Sequence, residues 1–121
     1  MQYMFLLYDN EAAAGDAPQD EAAFEAMMAP WVAYTHALVE AGVMRGGEAL
    51  MPTSTATTLT KAGGALVTTD GPFAETAEQL GGFYLVECAS LEEALKWAAL
   101  CPAMETGRVE VRPIMPTDPP G

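Results

Sequence analysis

The sequence is poor in positive charge, in histidine and in cysteine, and each shortage argues against a class of function. Five Lys and Arg residues stand against 17 Asp and Glu residues, so the net charge is -12. Nucleic-acid affinity comes largely from basic side chains that displace counterions, so we expect neither nucleic acid nor a membrane surface as a partner. One histidine and two cysteines cannot assemble a Cys/His zinc site within one subunit. We therefore expect no metal and no cofactor.

Long hydrophobic runs are also missing. No apolar stretch approaches the roughly 20 residues that span a bilayer, and the apolar residues 1–8 lack the basic start of a signal peptide. Cys88 and Cys101 do not make a disulfide framework and are expected to be small core residues of a reduced, cytoplasmic protein. Half of the 121 residues are hydrophobic, which is enough for one domain. We place it at 1–115, followed by a Pro-rich tail at 116–121.

Apolar runs and capping residues predict the order of strands and helices. Strands are expected at 2–8, 65–69, 82–88 and 108–114, with short strands near 47–50 and 57–61 as a hairpin-like excursion. Asp20 and Ser90 are suitable N-caps for helices that run to Ala41 and to about Leu100. Thr76 and Gln79, at capping-box spacing, suggest one more helical turn.

The first helix carries one apolar stripe and one proline. Six residues that fall together at 100° per residue predict its core face: Phe24, Met27, Met28, Trp31, Thr35 and Leu38. Pro30 should kink or break this helix, because proline has no backbone donor and clashes with the preceding turn.

This order predicts an α+β fold of the ferredoxin-like split βαβ type, an antiparallel sheet with two helices on one face. The first strand is apolar on both faces, with Tyr3, Phe5 and Leu7 on one and Met4, Leu6 and Tyr8 on the other. The strand at 82–88 is similar. Because two helices cover only one face, the other face needs a partner, and an identical subunit is the simplest one. We therefore expect a homodimer that packs sheet against sheet.

The segment after the 65–69 strand reads Asp70-Gly71-Pro72-Phe73 and runs on through Glu75 to Gly81-Gly82. Together with Gly46-Gly47-Glu48 and LKWAALCP at 95–102, it resembles the signature of the DGPF branch of the YCII-related family. The resemblance covers nearly the whole chain. It implies a dimeric ferredoxin-like fold of the dimeric α/β-barrel type and no established reaction. Such proteins are often found beside extracytoplasmic-function sigma factors.

The resemblance also implies two candidate catalytic residues, since YCII-like proteins are proposed to pair an aspartate with a histidine of the first helix. Asp70 matches the aspartate of the motif. An alignment of the helix anchored on Gly42 puts Trp31 near the histidine position, with His36 one turn or more beyond it.

The residues themselves leave two interpretations of Asp70. At the end of a strand, beside apolar surface, its carboxylate is suited to act as a general base. Alternatively it caps the turn by accepting hydrogen bonds from backbone N–H groups. Gly71 permits an unusual backbone angle, Pro72 fixes the next one, and Phe73 is expected to anchor the loop in the core.

Other candidates also have structural alternatives. Arg45 is a candidate anion contact, or a cation favoured at a helix C-terminus. His36 is a candidate catalytic residue, or a surface imidazole paired with Glu40 at i,i+4. Glu75 joins Gly71, Pro72 and Phe73 as a candidate substrate contact, or belongs to a solvated acidic rim.

Two functions follow. The first is a lyase- or isomerase-type enzyme that uses Asp70 as general base in a crevice beside the loop. The second is a non-catalytic ligand-binding or regulatory module linked to a sigma-factor system. An enzyme needs the Asp70 carboxylate in a concave pocket with a second polar group in reach. A module would have Asp70 bonded to backbone N–H groups, with no cavity beyond it.

Overall fold

A computed structural model describes residues 1–118, and Pro119 and Pro120 of the expected tail lie outside the described residues. In chain order the elements are β1 (Gln2–Asp9), α1 (Glu11–Ala14), α2 (Glu21–Glu40), β2 (Met44–Ala49), β3 (Thr57–Ala62), β4 (Ala65–Asp70), β5 (Gln79–Glu87), α3 (Leu91–Ala99) and β6 (Arg108–Pro113). Short 3-10 helices occupy Thr53–Thr55 and Pro102–Glu105. Within residues 1–118, no helix combines the length and apolarity that crossing a membrane requires.

Four strands form an antiparallel sheet in the order β2-β5-β1-β6. The two strands predicted to be apolar on both faces, β1 and β5, therefore occupy the centre. Buried and half-buried residues alternate along both of them, with Phe5 and Val86 fully enclosed on the helix side. This α+β architecture with antiparallel sheets is compatible with the predicted ferredoxin-like fold.

Capping side chains define both predicted helices. The Asp20 side chain accepts a hydrogen bond from the Ala22 N–H at 3.0 Å, and α2 ends just before Gly42, whose φ of 74° suits glycine. The Ser90 hydroxyl accepts from the Glu93 N–H at 3.2 Å, as the capping spacing predicts.

The break that Pro30 was expected to make in α2 does not occur, because the helix runs continuously through it; the alternative of a kink stays a prediction. Proline leaves the carbonyl four residues earlier, that of Ala26, without its helical donor. Both Pro30 and Ala26 lie on the exposed side of the helix, where water can serve that carbonyl.

The predicted core stripe of α2 is right in its C-terminal half and wrong at its start. Leu38 is fully buried and Trp31 and Thr35 are half-buried, but Phe24 and Met27 are 44% and 42% exposed. A cavity, described below, lies under the middle of α2 in place of packed core, and Phe24 and Met27 do not line it.

Two local predictions also change. The segment between the predicted strand 2–8 and the Asp20 cap, for which no element was predicted, contains the short helix α1, capped by the side chain of Asn10. The helical turn expected at Thr76 does not form, because the Thr76 hydroxyl donates to the Glu78 carbonyl and the Gln79 side chain donates back to the Thr76 carbonyl.

We call residues 57–70, which comprise β3, β4 and the turn between them, the β3–β4 arm. The two strands pair only with each other, from Thr57 opposite Asp70 to Ala62 opposite Ala65. Gly63 and Gly64 adopt positive φ values of 57° and 84° in the turn, a conformation that tight hairpins require. The expected strand near 47–50 is instead β2 of the main sheet. Every residue of β4 is exposed, so the arm has no place in the core of its own chain.

Candidate functional site

A cavity of about 700 Å³ lies between α2 and one end of the four-stranded sheet. The roof is formed by side chains on one side of α2, namely Met28, Trp31, Val32, Thr35 and His36. The floor comes from β1, β2 and β5, and Ala103 and Thr106 close one side. The lining is mainly apolar, which is typical of a small-molecule pocket.

Two glycines keep the floor of the cavity open. Gly82 pairs with Leu7 and Gly47 pairs with Tyr84, and directly paired residues point to the same face of a sheet. Because Leu7 and Tyr84 face the helices, side chains at both glycine positions would point toward the space under α2. A Cβ atom at Gly82 would lie 2.7 Å from the Glu48 carbonyl oxygen, and one at Gly47 2.9 Å from that of Phe83. The close approach of the strands therefore requires glycine at both positions.

A pair of hydroxyl groups supplies polar chemistry next to the cavity. The Thr35 Oγ1 and Tyr84 Oη atoms are 2.8 Å apart and share one hydrogen bond. The Tyr84 ring packs edge-on against Tyr34 with centroids 5.3 Å apart, and the Tyr34 hydroxyl donates to the Trp97 carbonyl at 2.8 Å.

Burial raises the pKa of Tyr84, and the hydrogen bond with Thr35 offsets part of that rise. Burial also raises the pKa of Tyr34. Both phenols therefore stay neutral at physiological pH, so Tyr84 presents an O–H group and not an anion at the cavity.

Two carboxylates line the cavity: that of Asp9 is engaged, and that of Glu48 makes no hydrogen bond or ion pair within residues 1–118. The Asp9 carboxylate accepts hydrogen bonds from the Thr106 hydroxyl at 2.9 Å and from the Asn10 N–H at 2.7 Å. No Lys or Arg occurs among the residues that line the cavity within the described part of the chain. Residues 1–118 also hold no group of three or more His, Cys, Asp or Glu side chains placed to share a metal ion.

His36 lies at the rim of the cavity. Its Nε2 atom is 3.2 Å from a carboxylate oxygen of Glu40, and both side chains are well exposed. The expected i,i+4 pairing with Glu40 is therefore present, and a catalytic role of His36 stays a prediction.

Asp70 is exposed at the end of β4 and does not line the cavity that His36 lines. Within residues 1–118 its side chain accepts no hydrogen bond, so it does not cap the turn either. The turn is held instead by Gly71, whose N–H donates to Ala56 at 2.7 Å and whose carbonyl accepts from the Thr58 hydroxyl at 2.7 Å.

The remaining residues of the loop are also exposed, Pro72 and Glu75 among them. Phe73 is 90% exposed, so the prediction that it anchors the loop in the core is wrong for the single chain. The apolar surface that Phe73 was expected to enter is not presented to the loop by its own subunit.

Arg45 lies outside the cavity. Its guanidinium donates to the carbonyls of Gly42 at 2.9 Å and Met44 at 3.0 Å, directly after the C-terminus of α2. This arrangement agrees with the alternative of a cation favoured at a helix end.

Sequence reasoning missed the residues that shape the cavity. Gly47 and Gly82 each lie inside a strand, and a glycine in a strand often marks a close backbone approach or a ligand site. That signal was present in the sequence. The Thr35 and Tyr84 pair had no such signal, because it joins α2 to β5 across 49 positions.

Comparison with known proteins agrees with the resemblance in the sequence. The model of the YCII-related domain matches residues 1–118. An uncharacterised protein of Rhizobium meliloti (strain 1021) is 43% identical over 116 residues, which cover 94% of this chain and 92% of the relative. The match extends over both the sheet that floors the cavity and the helix that roofs it. The chain therefore belongs to the YCII-related family.

Proposed function

We propose that the protein binds a small, mainly apolar molecule in the cavity under α2, and that it does so as a homodimer. The observation that carries the proposal is the cavity itself. Its volume of about 700 Å³ lies in the range of ordinary ligand pockets. Few polar groups line it, and few well-placed polar groups are what orient a ligand in such a pocket.

The groups around the cavity indicate the chemistry of the ligand. Thr35 and Tyr84 together carry two O–H groups but share only one hydrogen bond, so one proton remains available to a ligand. The described residues of the lining include Asp9 and Glu48 but no Lys or Arg, and the chain has a net charge of -12. An anion is therefore disfavoured, and a neutral molecule with one hydrogen-bond acceptor fits best.

Binding is favoured over catalysis because of where Asp70 lies. A general base must come within hydrogen-bond reach of the proton it removes, and Asp70 lies outside the cavity of its own subunit. The lyase- or isomerase-type reaction thus has less support than ligand binding. A regulatory role beside a sigma factor would be one use of the same binding function.

The homodimer is supported by the face of the sheet that the helices leave uncovered. Its central residues, Met4, Leu6, Phe83 and Leu85, are apolar and only half-buried in the single chain. On the edge strand β6, Glu110 and Arg112 pair with each other beside this row. Two such faces packed together would bury both rows, as in a dimeric α/β barrel.

The fluorescence of Trp31 provides the test for binding. Titration with the neutral dye N-phenylnaphthylamine should quench tryptophan emission, because Trp31 lines the cavity. Trp97 is the only other tryptophan and does not line it. Trp97→Phe should therefore keep the quenching and Trp31→Phe should lose it. The anionic analogue anilinonaphthalene sulfonate should bind more weakly.

A charge placed at the mouth of the cavity gives a matched control. Val32 is 64% exposed and lines the cavity, whereas Val39 is 58% exposed on the same helix and does not. Val32→Glu should weaken dye binding by about tenfold or more, and Val39→Glu should leave it unchanged. Equal binding by both variants, or quenching that survives in Trp31→Phe, would place the dye elsewhere and contradict the proposal.

Sedimentation tests the dimer independently of the ligand. The protein should sediment as a dimer at micromolar concentration, and Leu6→Glu, which puts a charge at the centre of the uncovered face, should sediment as a monomer. A monomeric parent protein would refute the dimer and leave the cavity proposal to the dye titration.

A further inference from the structure

The β3–β4 arm has two chemically different faces. Residues directly opposite each other in a strand pair share a face, and successive residues alternate. Leu59 faces Thr68, and Lys61 faces Leu66, so Leu59, Lys61 and Leu66 lie on one side, which we call the leucine face. Val67 lies on the other side, opposite Thr60.

The single chain leaves the leucine face in water. Leu59 is 59% exposed and Leu66 is 70% exposed. A lone two-stranded hairpin is only marginally stable without a surface to pack on. Phe73, next to the base of the arm, is 90% exposed. Exposed apolar surface of this kind marks a site of contact with another molecule.

A complementary surface lies on the outer side of α2. An apolar groove there is lined by Phe24, Met28 and Val32, with Glu25 among them. The groove and the cavity share Met28, Val32 and His36, so the groove continues into the mouth of the cavity. Whatever fills the groove therefore also covers the opening of the ligand site.

Charge favours the arm as the occupant of this groove. The chain has 17 acidic and five basic residues, and Arg108 and Arg112 form ion pairs with carboxylates while Arg45 bonds to carbonyls. Lys61 and Lys96 have no ion-pair partner within residues 1–118, and of these two only Lys61 belongs to the arm. A lysine between two leucines matches a groove in which a glutamate is surrounded by apolar side chains.

Every copy of the chain carries both the leucine face and the groove on α2. Two copies related by a two-fold axis can therefore each dock an arm in the groove of the other, which gives a closed dimer. Leu59, Leu66 and Phe73, and Phe24 and Val32 of the groove, are all more than two-fifths exposed. At roughly 100 Å² each, these five side chains offer roughly 500 Å² per subunit, against about 800 Å² per partner in a standard interface. The uncovered face of the sheet can supply the remainder.

We propose that the β3–β4 arm of each subunit docks its leucine face in the outer groove of α2 on a second copy of the chain. The docked arm closes the mouth of the cavity in that second subunit, so each ligand site is complete only in the dimer. This inference rests on the homodimer proposed above.

Two neighbouring residues of the arm provide a matched test. Leu66→Asp removes an apolar contact from the leucine face, and its carboxylate faces Lys61 within the hairpin, which preserves the pairing of the strands. Val67→Asp makes the same change on the opposite face. Sedimentation equilibrium should show a dimer dissociation constant raised about tenfold or more by Leu66→Asp and less than about threefold by Val67→Asp. Equal effects, or no effect of Leu66→Asp, would overturn the inference.

Charge reversal tests the proposed contact directly. Lys61→Glu should weaken the dimer, because it sets a glutamate against Glu25. Lys61→Glu combined with Glu25→Lys in the same chain should restore most of the affinity. Absence of rescue would contradict the pairing of this arm with this groove.

Cross-linking between different chains identifies the partner. A chain with Leu66→Cys is mixed with a chain with Val32→Cys and treated with a short bis-maleimide, while the natural Cys88 and Cys101 are buried. Mass spectrometry should find a link between the two chains, and Val39→Cys in place of Val32→Cys should give none. Equal linking to both positions would overturn the inference.

These results separate the inference from the function on which it rests. A dimer that Leu6→Glu dissociates and Leu66→Asp does not would keep the sheet-to-sheet dimer and overturn the docking of the arm. If the dye quenches Trp31 but the protein proves to be monomeric, the proposal of a ligand cavity is supported and both proposed dimer contacts are overturned.

Discussion

The four-stranded sheet and the β3–β4 arm are built from strands of similar length, but they differ in what covers them. Along β1, every second residue from Tyr3 to Leu7 is buried, because α2 and α3 pack on that side. Along β4 every residue is exposed. Pairing and turn geometry are local properties, and the arm has both, with six paired residues on each strand and a two-glycine turn. Burial depends on a partner, which the single chain does not provide for the arm.

The largest difference between the two regions should appear in a pair of phenylalanine truncations. Phe5 is fully buried and Phe73 is 90% exposed. Phe5→Ala should lower the free energy of unfolding by about 3–5 kcal/mol. Phe73→Ala should lower it by about 0.5 kcal/mol or less in dilute, monomeric protein. Urea unfolding measures both, and a loss at Phe73 as large as that at Phe5 would show that the arm belongs to the core.

A smaller loss of stability is expected at alkaline pH, and it should come from groups in the core and not from the arm. Burial raises the pKa of Tyr34, Tyr84, Cys88 and Cys101, all of which lie in the core. Below the ordinary thiol pKa of 9.0, all four groups are protonated in both the folded and the unfolded chain, so their contribution to the free energy of unfolding is complete. As the pH rises above it, the unfolded chain loses protons that the folded chain retains, so the free energy of unfolding falls.

Melting temperatures between about pH 8 and about pH 10.5 measure this decline. Tyr34→Phe removes one of the groups and should make the decline shallower. A melting temperature that stays constant over this range would contradict the assignment of these phenols and thiols to a desolvated core.

Removing the whole arm should also have only a small effect on the stability of the monomer. The Gly71 N–H bonds to the Ala56 carbonyl at 2.7 Å, so the two ends of the arm are adjacent. A chain in which two glycines replace residues 57–70 should unfold within about 1 kcal/mol of the parent chain in urea. A loss comparable to that of Phe5→Ala would mean that the arm contributes to the core.

The comparison also explains how much of the fold the sequence could predict. Apolar residues on both faces distinguished β1 and β5, which form the centre of the sheet, and the Asp20 and Ser90 caps predicted the starts of both long helices. These are short-range signals. Whether Pro30 breaks α2 depends on whether water can reach the carbonyl of Ala26, and that depends on how the helix lies on the sheet.

The candidate site was harder to predict for a related reason. An apolar stripe on a helix looks the same whether it packs on a core or roofs a cavity, so Met28 and Trp31 were expected in the core. The motif that begins at Asp70 drew attention to the loop, but Asp70 and Phe73 lie on the exposed surface of the single chain. Periodicity does not report which copy of the chain a residue packs against.

Hydrogen–deuterium exchange across a dilution series tests the difference between the two regions most directly. The amides of β1 and β5 should be protected at every concentration. Those of β3, β4 and the first half of α2 should exchange fast in dilute protein and become protected together as the dimer forms. Arm exchange that stays fast at every concentration, while sedimentation shows the dimer accumulating, would contradict the account.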